Sequence, residues 1–405
     1  MGQVSVALGL HPPLVVRTVP VRDPGDLISL LPGPASYTWV HHGDGLVAWG
    51  EALRVTIPPG PGRFAWARDW LAGAFGHADI DDRVRRPGSG PVAFGSFTFD
   101  PASAGSVLVV PRVVVARRDG QAWLTTVGEE NLGLVTPAVP PGRIRYSDGA
   151  LTAPGWEHAV ATAVRHITSG ELEKVVLARD LIATADADID PRVPLARLAA
   201  RYPECYTFSV GGLVGATPEL LVRHTGRAIE SLVLAGTIPS GADPATLFDS
   251  PKDRYEHTCA VASVEAALKP LCAELDVPAE PELLSLPNVQ HLASRVTGRL
   301  GDGASVLDVV AALHPTAAVG GTPTDDAVRL IPRLERMDRG GYAGPVGWID
   351  AQGDGEWGIA LRCAQLDGPR ARLFAGCGIM GGSDPAAELA EAQSKFRAMQ
   401  YALEG

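Results

Sequence analysis

Two pairs of carboxylates stand at helical spacing in this sequence. In "SPKDRYEH", residues 250–257, Asp253 and Glu256 are three apart; in "SDPAAELAEAQSK" Glu388 and Glu391 repeat that spacing, with Lys395 four residues further on. Residues three or four apart share a helix face, so each segment offers two carboxylates side by side. Carboxylate oxygens together with retained water are how proteins hold Mg²⁺, and Glu256 and Glu391 facing one ion is the chemistry that these pairs allow. A plainer reading stands beside it. Ser250 reads as an N-cap, Pro251 suits the first helical position and Asp253 stands where a capping box has its acidic partner, while Glu256 in the first turn is favoured by the helix dipole alone. In the second segment Asp384 caps, Pro385 begins the helix, and a solvated Glu391–Lys395 pair contributes only roughly a few tenths of a kcal/mol. The small, uncharged neighbours in "AAELAEAQS" instead favour a face turned to a partner surface.

Other residues carry possible chemistry singly. Glu219 heads the apolar stretch in "GATPELLVR", where burial raises a carboxyl pKa and keeps it protonated as an acid; otherwise it is a hairpin-turn glutamate. Lys174 opens the strand pattern "KVVLAR" with Val176 and Ala178 on its face, a place where a lysine is ordinarily solvated. His291 in "NVQHLASRV" and Arg362 in "ALRCAQL" lie inside apolar patterns, either as satisfied core groups or reaching a cavity. "GCGIMG" at 376–381 matches a dinucleotide fingerprint, but a dinucleotide fold needs a further strand with an acidic residue at its end, and the sequence stops at Gly405. What remains is a glycine turn between strand and helix whose amides could hold a carboxylate. No Ser/His/Asp elbow and no P-loop is present.

The elements that would position these groups are mixed. To about residue 135, short apolar runs such as "GLVAWGEAL", "PVAFGSFTF" and "SVLVVPRVVVARR" alternate with Gly, Pro and Asp turns and read as strands, interrupted by a helix around "RFAWARDWLAGAF". "TPAVPPGRIRYSDGALTAPG" is a Pro/Gly-rich connection without periodicity. Beyond it "WEHAVATAVRHI", "KDRYEHTCAVASVEAALKPLCAEL", "SVLDVVAAL" and "PAAELAEAQSKFRAMQYALEG" read as helices. "KVVLARDLIATAD", "GPVGWIDA", "GEWGIALRCAQL" and "ARLFAGCG" read as strands, and "CYTFSVGGLVGATPELLVRH" as a hairpin. The irregular order predicts an α+β fold with mostly antiparallel sheets covered by helices.

Composition narrows the partners. A net charge of −11 with dispersed Lys and Arg argues against nucleic acid. The five scattered cysteines contain no C-x-x-C pair and fit a reducing cytoplasm. The opening "MGQVSVALGLHPPLVV" lacks a basic n-region and a cleavage site, and no apolar run reaches the ~18 residues of a membrane span, so neither export nor a membrane anchor is expected.

Nine segments in order, "KVVLAR", "GATPELL", "LAGT", "SPKDRYEH", "NVQHLASRV", "LHPTAAVGGTP", "GYAGPVGWID", "GEWGIALRCAQL" and "AGCGIMGGSDPAAELAEAQSK", resemble the chorismate-utilising enzymes: isochorismate, salicylate, anthranilate and aminodeoxychorismate synthases. The resemblance covers about residues 155–400; the N-terminal third is less distinctive. It implies one α+β domain over residues 1–405, with two stacked, mostly antiparallel sheets and helices outside, in which 1–150 is a mostly-strand region and 155–405 the catalytic region. It further implies chorismate as substrate, Mg²⁺ as cofactor and a monomer. Lys174 matches the family base and Glu219 the family acid; Glu256 and Glu391 match the metal ligands, with Asp253 and Glu388 orienting metal waters. Arg362, Tyr342 and the amides near Gly376 and Gly378 match the grip on the pyruvyl carboxylate, Lys395 lies by the metal end, and His291, Leu234, Ala235, Gly236 and Thr237 match other parts of the wall.

A lysine at 174 points to water as the nucleophile, though aminodeoxychorismate synthases can share it. Ala318 and Val319 in "HPTAAVGG" look like isochorismate synthases, where salicylate synthases tend to have threonine then alanine. The expectation is therefore an Mg²⁺-dependent isochorismate synthase, with salicylate synthase, or a non-catalytic chorismate-binding subunit, as alternatives. Cys377 departs from the alanine of many members, a small change expected to cost no function.

Overall fold

Alternating apolar residues bounded by glycine, proline and aspartate do form strands, and these assemble into two large sheets in a computed structural model that describes residues 13–129, 132–285 and 289–405. The reading of the first twelve residues lies outside them. Among the described residues one sheet has thirteen strands and the other ten, with helices against them. All strand pairings are antiparallel except that of Val15–Val21 with Asp79–Asp82. Strands from the first 150 residues enter both sheets. Between the sheets lies an aromatic core: Trp39 and Phe208 from one, Phe94, Trp348 and Trp357 from the other, all essentially fully buried. No helix among the described residues is long and apolar enough to cross a membrane, and all five cysteines are free thiols.

The chain crosses from one sheet to the other at two places that matter for function. Leu213–Thr217 belongs to the thirteen-stranded sheet and Leu220–Thr225 to the ten-stranded one, so Pro218 and Glu219 form a crossing. Gly355–Ile359 and Cys363–Asp367 are likewise in different sheets, and Arg362, with φ of 48°, turns the corner between them. The crossings are tied together: Thr217 Oγ1 donates to Ile359 O at 2.6 Å and Ala216 N to Arg362 O at 3.2 Å. An apolar pattern cannot show such a crossing, because it continues straight through it.

Four sequence expectations change. The helix opened by Ser250 runs Pro251–Leu268 and not to residue 275, because Pro270 has no N–H with which to continue the ladder; Cys272–Asp276 becomes an edge strand. Part of the Pro/Gly connection, Ile144–Asp148, is a strand paired with Lys174–Ala185. "GCGIMG" is mostly not a turn: Gly376 to Ile379 lie in the strand Arg370–Ile379, and the turn comes after it. Three helices, Arg192–Arg201, Pro244–Phe248 and Thr324–Glu335, went unread, the last because Pro332 interrupts its pattern. Elsewhere capping is as the residues suggest. Ser305 and Asp308 form a full capping box on Val306–Leu313, and Asp308 also accepts from Arg68 at 2.7 Å. Asp308→Ala should therefore lower stability by about 1–2 kcal/mol without changing catalysis, measured by chemical denaturation beside a rate assay.

Candidate active site

The two crossings, the closing helix and the helix Pro251–Leu268 meet around one cavity of about 190 Å³, and all eighteen residues singled out from the sequence line it. Glu219 is 8% exposed, and its carboxyl accepts no hydrogen bond from any described residue. Burial pushes its pKa up to about 8 against the opposing pull of Lys174, so at neutral pH it holds its proton and can give it away. Lys174 is not solvated, as a strand-end lysine ordinarily is. It is 7% exposed, because the helix Pro251–Leu268 covers it, and its Nζ is paired with Glu256 Oε1 at 2.5 Å.

Backbone geometry makes these approaches possible. In the strand Ala228–Pro239 the register shifts between Ala235 and Thr237, and Gly236 takes φ of 76°, a bulge that only glycine adopts without strain. Asp253 Cβ lies 3.2 Å from where a Cβ of Gly236 would stand, so the bulge lets strand and helix close on each other. His257 fastens the contact through Ala235 O and Ser294 Oγ, at 3.3 and 2.8 Å. Ser250 caps the helix as expected, accepting from Asp253 N at 3.2 Å, which leaves the Asp253 carboxylate to the cavity.

Gly376 and Gly378 face Ala178 and Val176 across the ladder. Those partners spend their backbone groups elsewhere: Val176 N on Gly320 O, Val176 O on Arg339, Ala178 N on Glu335 and Ala178 O on Trp156. The pairs are therefore of the type without mutual hydrogen bonds, and the amides of both glycines turn away from that strand. On their other side the neighbouring strand stops pairing at Leu373. These amides are thus presented from a strand edge and not from a turn. A Cβ on Gly378 would stand 2.9 Å from Lys174 Cε and 3.4 Å from Glu256 Oε1. Gly378→Ala should displace the lysine and lower kcat by roughly 10-fold or more while the protein still melts cooperatively, checked by steady-state rates beside a thermal melt.

The cationic end is equally defined. The Arg362 guanidinium has no hydrogen-bond or ion-pair partner among the described residues, so it is available to an anion. Tyr342 is buried and stacked on Phe374 at 5.0 Å; its hydroxyl lies 3.0 Å from where a Gly376 Cβ would be, and burial holds its pKa above the usual phenol range. Lys395 Nζ bonds Gly376 O and Glu391 Oε1, both at 2.7 Å. His291 Nδ1 shares a 2.9 Å hydrogen bond with Thr237 Oγ1, while Nε2 has no partner among the described residues. Burial pulls the His291 pKa down to about 4, so the ring is neutral. Leu234, Ala235, Ala318 and Val319 complete the wall.

The carboxylates can be tested for metal. Donor atoms of Glu388, Glu391 and Cys377 lie within 4.8 Å of one another, with Glu256 outside that cluster but in the same cavity. Burial pushes the Cys377 thiol up to about 12, so oxygens are the donors on offer. Burial also raises Glu388, which accepts from Ser383 Oγ at 2.6 Å; burial acts in the same sense on Glu391, but Lys395, Arg362 and the Cys377 hydrogen bond together outweigh it and its pKa falls. Lys174 engages one oxygen of Glu256 and Lys395 one oxygen of Glu391, whose carboxylate also meets the Cys377 thiol. An all-oxygen set of this kind suits a hard divalent cation. The sequence did not reveal Lys252 and Arg339, which also line the cavity. Lys252 stood inside the opening motif, four residues before Glu256, and that spacing was its only signal.

Comparison with known proteins agrees in family and in fold. The family described as "Chorismate binding enzyme" matches residues 139–404. Isochorismate synthase MenF of Bacillus subtilis is 33% identical over 372 residues, covering 81% of this chain and 78% of that protein. The structure of MenF, the menaquinone-specific isochorismate synthase of Escherichia coli, superposes with a TM-score of 0.82 at 26% identity, covering 98% and 97% of the two chains. Anthranilate synthase component I of Streptococcus pneumoniae shares the fold, with a TM-score of 0.70 at 21% identity over 99% and 95%.

Proposed function

We propose, from the premise that this chain belongs to the chorismate-binding enzyme family, that it is an Mg²⁺-dependent isochorismate synthase. The observation that carries the reading is the presence, in one cavity, of the buried Lys174 side chain and a buried Glu219 carboxyl that keeps its proton. Chorismate is a cyclohexadiene dicarboxylate. Water adds at C2, the two double bonds shift, and the C4 hydroxyl leaves, so reactant and product are isomers. Water is a weak nucleophile and hydroxide a poor leaving group, which calls for a base on one side of the ring and an acid on the other. Lys174, as the neutral amine once its pair with Glu256 has parted and its own ammonium proton has gone to solvent, takes the proton from the attacking water; Glu219 delivers its proton to the departing hydroxyl, which leaves as water. Arg362, Tyr342 and the Gly376 and Gly378 amides hold the pyruvyl carboxylate. Glu256 and Glu391 would hold the metal, with Asp253 and Glu388 orienting its waters. Bound there, Mg²⁺ neutralises the ring carboxylate and draws charge from the diene.

A run in H₂¹⁸O tests the chemistry. Isochorismate formed in the first turnovers should carry one solvent oxygen; unlabelled product would contradict water addition. A non-catalytic binding subunit is disfavoured, since holding a dianion requires no buried acid. Salicylate synthase differs by a later pyruvate elimination, which the wall at Ala318 and Val319 governs. Ala318→Thr together with Val319→Ala should move the products toward salicylate, read by chromatography; a wild-type protein that already makes mainly salicylate would overturn the subclass.

A further inference from the structure

The Glu335–Arg339 pair is buried more deeply than any group in the proposed chemistry, at 1% and 3% exposure, and no step uses it. Its bonds reach across the cavity wall. Arg339 Nη1 donates to Val319 O at 2.9 Å; Nη2 donates to Val176 O at 2.8 Å and to Glu335 Oε1 at 2.6 Å; Nε donates to Glu335 Oε2 at 3.0 Å. Glu335 Oε1 also accepts from Ala178 N at 2.7 Å. The bonds fall where a sheet neighbour gives out. The two-residue strand Gly321–Thr322 pairs only with Lys174 and Val175, and beyond Val176 N the side chains of Arg339 and Glu335 take over the ladder. One planar guanidinium therefore joins the strand that carries Lys174 to the carbonyl of Val319, and its Cζ lies 4.2 Å from the centroid of the Phe99 ring, which backs it on that side.

We infer that Arg339, held by Glu335, is a positioning residue that sets the gap between the Lys174 strand and the Ala318–Val319 wall, and so fixes how the pyruvyl group lies relative to the base. The inference rests on the reaction proposed above. Arg339 donates no proton and holds no charge on the substrate; its own charge is matched by Glu335. Its effect on turnover runs through distance, and a misplacement of about 1 Å costs roughly 100-fold in rate.

Two variants and two measurements test this. Arg339→Lys keeps a charge for Glu335 but has no fork to span Val176 O and Val319 O. Should it not fold, the double variant Arg339→Met with Glu335→Leu removes both buried charges, a replacement that folded proteins commonly tolerate. In whichever variant melts cooperatively, amide hydrogen exchange over 316–322 should rise ~10-fold or more over wild type, while the aromatic core between the sheets keeps its protection. kcat per folded molecule should fall roughly 10- to 100-fold, KM should move less, and the share of product that has lost pyruvate should increase. Unchanged exchange over 316–322 would overturn the bracket. Unchanged kcat and product ratio in a folded variant would overturn its link to catalysis. A wild-type protein inert toward chorismate would bring down the proposed reaction instead, and the exchange result would then decide the bracket alone.

Discussion

Lys174→Ala should lower kcat by ~10²–10⁴-fold while chorismate still binds with nearly wild-type affinity, because a base contributes mainly in the transition state. The structure sharpens this expectation. Lys174 is buried against Glu256, and the groups proposed to grip the substrate, Arg362, Tyr342 and the Gly376 and Gly378 amides, line the same cavity on other side chains and backbone. Glu219→Gln should fail comparably, since the amide has the shape of the acid but no proton to release. Glu219 also sets a pH limit. Its pKa is raised to about 8, so the protonated form needed for donation is present below that pH and lost above it. kcat/KM should therefore fall above about pH 8, and the limb assigned to Glu219 should vanish from the residual activity of Glu219→Gln. The two groups exchange duties in the reverse direction, so each variant should lose the forward and reverse reactions together. A Lys174→Ala protein that converts chorismate at the wild-type rate would refute the water-activation mechanism.

Removing the carboxylates proposed to hold the metal is the second large effect expected. Glu391→Gln should abolish most turnover and weaken the response to Mg²⁺, with a small change in melting temperature: its side chain is 45% exposed, and Lys395 keeps its bond to Gly376 O. Glu256→Gln should abolish turnover too but destabilise more, by ~2–4 kcal/mol, since it strips the partner from a lysine whose side chain is 9% exposed. Magnesium titrations of activity beside thermal melts separate the two. Equal, undiminished Mg²⁺ responses in both variants would remove these carboxylates from the metal site.

Much of this site was legible because short-range chemistry marks it. Ser250 with Pro251, and Asp384 with Pro385, announced the two helix starts, and both helices begin there with those caps. From the caps, the facing of Asp253, Glu256, Glu388 and Glu391 follows by helical period. What stayed hidden depends on contacts between distant segments. Lys174 looked like a solvated strand end because nothing local says that residues 82 positions later will cover it. Glu219 and Arg362 looked like a turn residue and a patterned core residue, because period-two alternation does not tell which sheet a strand joins, and both sit where the chain changes sheets. Glu335 and Arg339, four apart, have the spacing of an exposed helix pair; only the strand packed over them makes them buried.

The most direct test is incubation of the purified protein with chorismate and Mg²⁺, with the products separated by chromatography and identified by mass and by their ring proton couplings. Isochorismate of unchanged mass, with its pyruvyl group retained, formed only when the metal is supplied and approached from either direction, is the result expected. Chorismate recovered unaltered under saturating Mg²⁺, or salicylate with released pyruvate as the main product, would contradict it.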